Sequence, residues 1–235
     1  MLMRRSGIPL VALALVVGPV LAGCSGSEEA GESATDLLDR AKETLDEASS
    51  AHFVLESEGA PSSGTALVGG EGDIARPSSF EGTLKVVALG STVDLDVVSV
   101  DGTVYAQLPF ASGFSVIDPA QFGIGDPGAL LDPETGISQL FTEARSAELG
   151  EERRVDGEVV REVTAELPGD LVEQLLTSKD PSQAVQATFS IAAESGELRR
   201  ATLTGPFFVA GEDGTYTLDL TDFGADVQIT APATG

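Results

Sequence analysis

The chain carries one cysteine, one histidine and no tryptophan in 235 residues. A disulfide needs two thiols, so no intrachain bridge can brace the fold. A zinc centre draws on clustered His and Cys, which this composition cannot supply. A Ser-His-Asp triad would have to use His52. That residue stands at a helix-to-strand junction beside Phe53, with no G-x-S-x-G elbow in the chain, and reads as structural or exposed. There is no P-loop and no D-x-D-x-D-G calcium loop. Bases are also scarce, with 13 Lys and Arg against 38 Asp and Glu and a formal net charge of -25. Such a surface repels phosphate backbones and argues against a nucleic-acid partner; its simplest reading is solubility. Gly69-Gly70-Glu71-Gly72 follows a strand but leads to no helix, so it reads as a flexible strand or bulge rather than a phosphate loop. A paired-carboxylate hydrolase is the one catalytic class that the many acids leave open. The expectation is a protein without metal or cofactor that is not an enzyme.

The N-terminus is informative. Arg4 and Arg5 precede an apolar run from Ile8 to Leu21 that Pro9, Gly18 and Pro19 interrupt. The run is short and broken, which fits a secretory signal over residues 1–23 better than a spanning helix. It closes on Leu21-Ala22-Gly23-Cys24, an aliphatic residue and two small ones before the only cysteine. This is a lipobox. Cys24 would carry a diacylglycerol thioether, and its new amine would accept a further acyl chain such as palmitate. Two or three chains anchor stably where one is marginal. The Gly-, Ser- and Glu-rich residues that follow make 24–34 a flexible tether on the extracytoplasmic side of the cell membrane.

Residues 35–235 read as a single α+β domain. Leu37, Leu38, Ala41, Leu45 and Ala48 lie on one stripe of a helix over 35–48, with Ser33 and Asp36 as its capping box. From His52 the period becomes two, and strands are expected near 52–58, 65–74, 80–89, 91–100 and 103–108. A Gly90-Ser91 turn would set Val86 opposite Leu95 and Lys85 opposite Asp96. An Asp101-Gly102 type I′ turn would set Val97 opposite Ala106 and Leu95 opposite Leu108. Leu84, Val86, Ala88, Val93, Leu95, Val97, Val104, Ala106 and Leu108 then share the apolar face. Hairpins are also expected around Asp156-Gly157 and Ser195-Gly196, and between 216–220 and 225–229. Short helices are expected at 137–145 and 169–178, with a Pro-rich loop over 109–135.

The ordered series resembles the LppX/LprA/LprF/LprG lipoprotein family of mycobacteria and their relatives. It runs through Ser50-Ala51-His52-Phe53-Val54-Leu55, Gly82-Thr83-Leu84-Lys85-Val86 and Val100-Asp101-Gly102-Thr103-Val104-Tyr105-Ala106. Asp118-Pro119-Ala120, then Leu130-Leu131-Asp132-Pro133-Glu134-Thr135-Gly136-Ile137, then Phe223 to Thr230 complete it. The resemblance implies a large antiparallel half-barrel sheet wrapped over a few helices, related in shape to the carrier LolA, with an apolar cavity between them. It also implies binding of acylated lipids or glycolipids and their transport across the envelope. The candidate lining is Leu84, Val86, Val93, Leu95, Val97, Val104, Ala106, Leu130, Ile137, Leu140 and Phe141. The implied partners are a lipid or glycolipid, the membrane reached through Cys24 and a membrane transporter, the protein itself being a monomer. A pocket well above a few hundred Å³ would favour this carrier reading. The alternative is a non-carrier envelope lipoprotein, a scaffold or regulatory partner whose concave face is fully packed. An enzyme of unknown type is a third possibility, for which the residues supply no constellation.

Overall fold

The computed structural model describes residues 32–235 except 62, 63, 89, 123 and 156. Cys24, the expected signal segment and most of the expected tether lie outside the described residues. Helix α1 (Ala34–Glu47) buries Leu37, Leu38, Ala41 and Leu45, the stripe read from the sequence. Ser33 caps it: the Asp36 N–H donates to the Ser33 hydroxyl, and the Ser33 N–H donates to the Asp36 carboxylate. The Ser33 hydroxyl, and then its backbone N–H, hold the Asp36 carboxyl below its ordinary value. Glu32 pairs with Arg40 at 2.9 and 3.0 Å, so order begins ahead of the helix, inside the stretch expected to be tether.

Eleven described strands follow: β1 (Ser50–Glu58), β2 (Ala66–Ala75), β3 (Ser79–Ala88), β4 (Ser91–Val100), β5 (Thr103–Gln107), β6 (Ser115–Val116), β7 (Arg145–Val155), β8 (Glu158–Leu167), β9 (Val185–Ala192), β10 (Leu198–Val209) and β11 (Glu212–Thr221). They form one open antiparallel sheet in the order β6-β5-β4-β3-β2-β1-β11-β10-β9-β8-β7. The two sequence halves meet in its middle, where β1 pairs with β11. Among the described residues the α-helices beside it are α1 and two short ones, α2 (Gln139–Thr142) and α3 (Gly169–Val172), which are shorter than the pattern suggested. This is the α+β half-barrel expected.

Two pairings differ from expectation. The β3–β4 turn closes between Ala88 and Ser91, with Gly90 at φ +80°, so Val86 faces Val93 and Leu84 faces Leu95. Lys85 accordingly faces Asp94, and Thr83 donates to Asp96 at 3.1 Å. The shift is two residues. A period of two leaves every side chain on its expected face, which is why alternation alone could not detect the difference. The Asp101-Gly102 turn has both residues at positive φ and sets Val97 against Ala106, but β5 ends at Gln107 and leaves Leu108 exposed and unpaired with Leu95. A further difference is the C-terminal tail. Residues 225–229 form no strand with β11, because that strand already has β1 on one edge and β10 on the other. Instead the Gly224 N–H donates to Ser50 O and the Ser50 hydroxyl to Ala225 O, and the tail ends where Thr234 bridges Phe114 of the β5–β6 hairpin.

Both sheet edges are blunted. β6 has two residues, and β7 carries Arg145, Glu148, Glu151, Glu152, Arg153 and Arg154, all exposed, and two irregularities in its pairing with β8. Short, charged or bulged edges resist pairing with another chain. The glycine run of β2 is a packing device. Gly72 faces Gly82, and a Cβ on either would meet the ring of Phe80 at 2.7 Å, so the aromatic ring lies where their side chains would stand. Phe80 is fully buried and packs on Phe53 with ring centroids 5.4 Å apart.

Phe80→Ala is therefore expected to cost about 3–5 kcal/mol in urea unfolding. Gly82→Ala should also destabilise, because its Cβ would meet the Gly72 backbone at 2.7 Å.

Candidate functional site

The middle of the concave face is a row of register partners. Leu84 on β3 faces Gly70 on β2, Gly70 faces Leu55 on β1, Leu55 faces Leu218 on β11, and Leu218 faces Ala201 on β10. Gly70 leaves a gap in that row, which Leu84 overlies: a Cβ on Gly70 would meet Leu84 Cδ2 at 2.7 Å. A bulge between Leu67 and Gly69 follows on β2. Its carbonyls are met by side chains from either side of the β1–β11 seam. Tyr216 OH donates to Leu67 O at 2.6 Å, and Ser57 Oγ to Val68 O at 2.8 Å. Burial pushes the Tyr216 phenol far above its ordinary value, so it remains a neutral donor.

Opposite this floor lie two irregular segments. One is 124–140. Asp126 caps a 3-10 turn (Pro127–Ala129), accepting from the Gly128 N–H at 2.8 Å and from the hydroxyl of Ser99, which is fully buried on β4. That pair pins the segment to the sheet. Asp132 accepts from the N–H groups of Glu134 and Thr135 and from the Thr135 hydroxyl, stabilising the next turn. The other segment follows α3, and an isolated bridge joins its Leu176 to Ile124.

Between floor and cover is a cavity of about 250 Å³. Phe53, Leu55, Leu67, Leu84, Leu203 and Leu218 line it from the sheet. Ile124, Leu130, Ile137, Leu140, Leu175 and Leu176 line it from the cover. Asp126, Thr135 and Gln174 are its polar points besides Tyr216, and among the described residues no Lys or Arg lines it. Four of the residues singled out from the sequence, Leu84, Leu130, Ile137 and Leu140, are therefore on the wall. Val86, Leu95, Val97, Val104, Ala106 and Phe141 are buried in the core away from the cavity, and Val93 packs partly buried against that core. Phe141 meets Phe189 edge-on at 5.0 Å. Their face was read correctly, but the side chains around them fill that part of the face. The wall residues that went unread include Leu67, Ile124, Leu175 and Leu176 and those of the seam: Phe53 and Leu55 on β1, and Leu203, Tyr216 and Leu218 on β10 and β11. Their alternation is visible in the sequence; the β1–β11 pairing that gathers them is not. The volume is below the large pocket expected and just under the roughly 300 Å³ at which small-ligand sites begin.

Asp132 gives this cover a pH dependence. The Glu134 N–H, ahead of the Thr135 contacts, lowers its carboxyl below the ordinary 3.8, with a smaller pull from Arg76. A depressed carboxyl contributes stability above its unfolded value and loses it as pH falls through its folded value. The destabilisation by Asp132→Ala should be full above pH 3.8 and shrink as the pH falls below it. Urea unfolding at stepped pH measures this.

The comparisons with known proteins agree with this architecture. The profile of the LppX_LprAFG lipoprotein family matches residues 33–229. The lipoarabinomannan carrier protein LprG of Mycolicibacterium hassiacum is 32% identical over 234 residues, covering 95% of this chain and 97% of that one. LprG of Mycobacterium tuberculosis is 29% identical over 232 residues, with 96% and 94% covered. Among solved structures, LprF of Mycobacterium bovis superposes with a TM-score of 0.69 at 18% identity, covering 85% of this chain and 97% of that one. LppX of Mycobacterium tuberculosis superposes at 0.61 and 16% identity, with 84% and 98% covered. A continuous apolar sheet face, a cavity beneath its central seam and a family match across nearly the whole described chain lead to one assignment: the chain belongs to the LppX_LprAFG lipoprotein family.

Proposed function

We propose that this protein is a membrane-anchored lipoprotein that takes up an acylated lipid or glycolipid in the cavity under the β1–β11 seam and assists its transport across the cell envelope. The cavity carries the reading: an aliphatic space that the protein's own side chains leave open. The carrier function in the names of the LprG relatives supports it. The working step needs no chemistry. Acyl carbons leave the bilayer for an apolar wall, each buried methylene contributing about 0.8 kcal/mol. If a methylene takes roughly the 30 Å³ of a water, the cavity of about 250 Å³ holds on the order of eight. That is the end of one chain, worth roughly 6 kcal/mol. A multi-acylated cargo therefore needs the cover to move outward, and the Ile124–Leu176 bridge is the joint that would part. The absence of a lining cation favours an uncharged portion of the lipid inside.

The reading includes the N-terminus. Residues 1–23 act as a secretory signal, Cys24 bears the lipid, and the domain works on the outer side of the membrane as a monomer. A membrane transporter would be its source or recipient of cargo. The alternative is an envelope scaffold or regulatory lipoprotein that carries nothing; the packed core beneath Val97 and Ala106 favours it over that part of the sheet.

Leu84→Trp, with Leu218→Trp as a second obstruction, should leave the far-UV circular dichroism unchanged and reduce co-purifying lipid severalfold in native mass spectrometry. Undiminished lipid in both variants, or none in the wild type, would favour the scaffold. Separately, the wild type grown with labelled palmitate should incorporate the label and Cys24→Ser should not; label retained in Cys24→Ser would remove the anchor assignment.

A further inference from the structure

Three exposed apolar side chains sit together in sequence on the β5–β6 hairpin. Phe110 is 108% exposed, Val116 62% and Leu108 41%. Isolated exposed apolar residues are ordinary, but a bare aromatic ring at a turn apex is not explained by the core. The turn presents it actively. The Ala111 N–H donates to Leu108 O at 3.0 Å, Pro109 takes the second position, and Phe110 takes the third with φ +69°. That position belongs to glycine in such turns, and a bulky residue there is held against its backbone preference. The ring gains no packing in return. The base of the hairpin is braced, by Gln107 Nε2 donating to Ala111 O, the Gly235 N–H donating to Phe114 O and the Thr234 bridge.

Charge singles out the same stretch. From Gly102 to Ile117 there is no Asp, Glu, Lys or Arg, in a chain that is 22% charged and carries -25 overall. The rest of the surface would be repelled by anionic headgroups, and this one is neutral. We infer that the β5–β6 tip is a bilayer contact, with Phe110 entering the interface of a membrane with uncharged or zwitterionic headgroups, Leu108 next to it in the turn and Val116 nearer the hairpin base opposite Tyr105. Phe and Leu are among the side chains that interfacial segments bury at the boundary of headgroups and acyl chains. Three side chains are too few for a stable protein interface, which needs about 800 Å² per partner. They suffice for a membrane when a lipid tether already supplies most of the affinity. The contact rests on the membrane anchor of the proposed function but needs no occupied cavity.

The absence of tryptophan makes the test direct. Phe110→Trp places a single indole at the tip, and Leu149→Trp places one at an exposed apolar position on charged β7. The lipidated protein, purified from membranes, is reconstituted through its Cys24 anchor into phosphatidylcholine vesicles, with and without brominated acyl chains. The expected result is a blue-shifted emission and severalfold stronger bromine quenching at position 110 than at 149. Adding Leu108→Asp to Phe110→Trp should reduce both. Equal emission and quenching at the two positions would overturn the inference. So would a concentration-dependent blue shift at 110 without vesicles, which would assign the tip to a second copy of the chain.

Discussion

A wide sheet with one apolar face must be covered, and this chain has little helix to cover it with. Eleven strands at about 4.8 Å spacing span roughly 48 Å. Helix α1, with 14 residues, reaches only about 21 Å at 1.5 Å per residue. The remainder falls to irregular chain, whose backbone groups must find partners wherever they are buried. Asp126 bonded to Ser99, Asp132 bonded to its own turn, and the Ile124–Leu176 bridge are how that requirement is met. Segments shaped by such local bonds do not interdigitate like a helix face, and the space they leave is the cavity.

The glycines of β2 act on the same balance from the other side. Gly72 and Gly82 make room for Phe80, while Gly70 receives Leu84. The sheet thus fills its own hollows at Phe80 with a large side chain and leaves the row of Leu84, Leu55 and Leu218 to the cavity. Tyr216 stands at the boundary. Its ring packs edge-on against Phe207 at 5.0 Å while its hydroxyl satisfies a carbonyl at the β2 bulge, which joins core and seam in one residue.

Much of this was legible in the sequence. The stripe of α1, its Ser33–Asp36 cap, the type I′ turn at Asp101-Gly102 and the face of each strand follow from local spacing and turn chemistry. The two-residue slip at Gly90 was invisible because it changes neighbours without changing faces. The cavity wall was half legible: Leu84, Leu130, Ile137 and Leu140 reach it, but a core side chain such as Val97 has the same pattern as a wall side chain such as Leu55. What separates them is how completely the opposite layer fills, a property of long-range packing. The strand expected over 225–229 shows the same limit, since alternation cannot tell that β11 has no edge left to offer.

The seam also dictates an order of events. Glu58 of β1 meets Thr215 of β11, and His52 meets Thr221, partners more than 150 residues apart in the chain. The hairpins on either side close over short loops, whereas this pairing carries a large loop-closure entropy. The two halves of the sheet can therefore form early, but they can join only after nearly the entire polypeptide has emerged. The hollow beneath the junction comes into being with that last pairing, so a chain truncated before β11 would keep its hairpins and have no vault over which to hold anything.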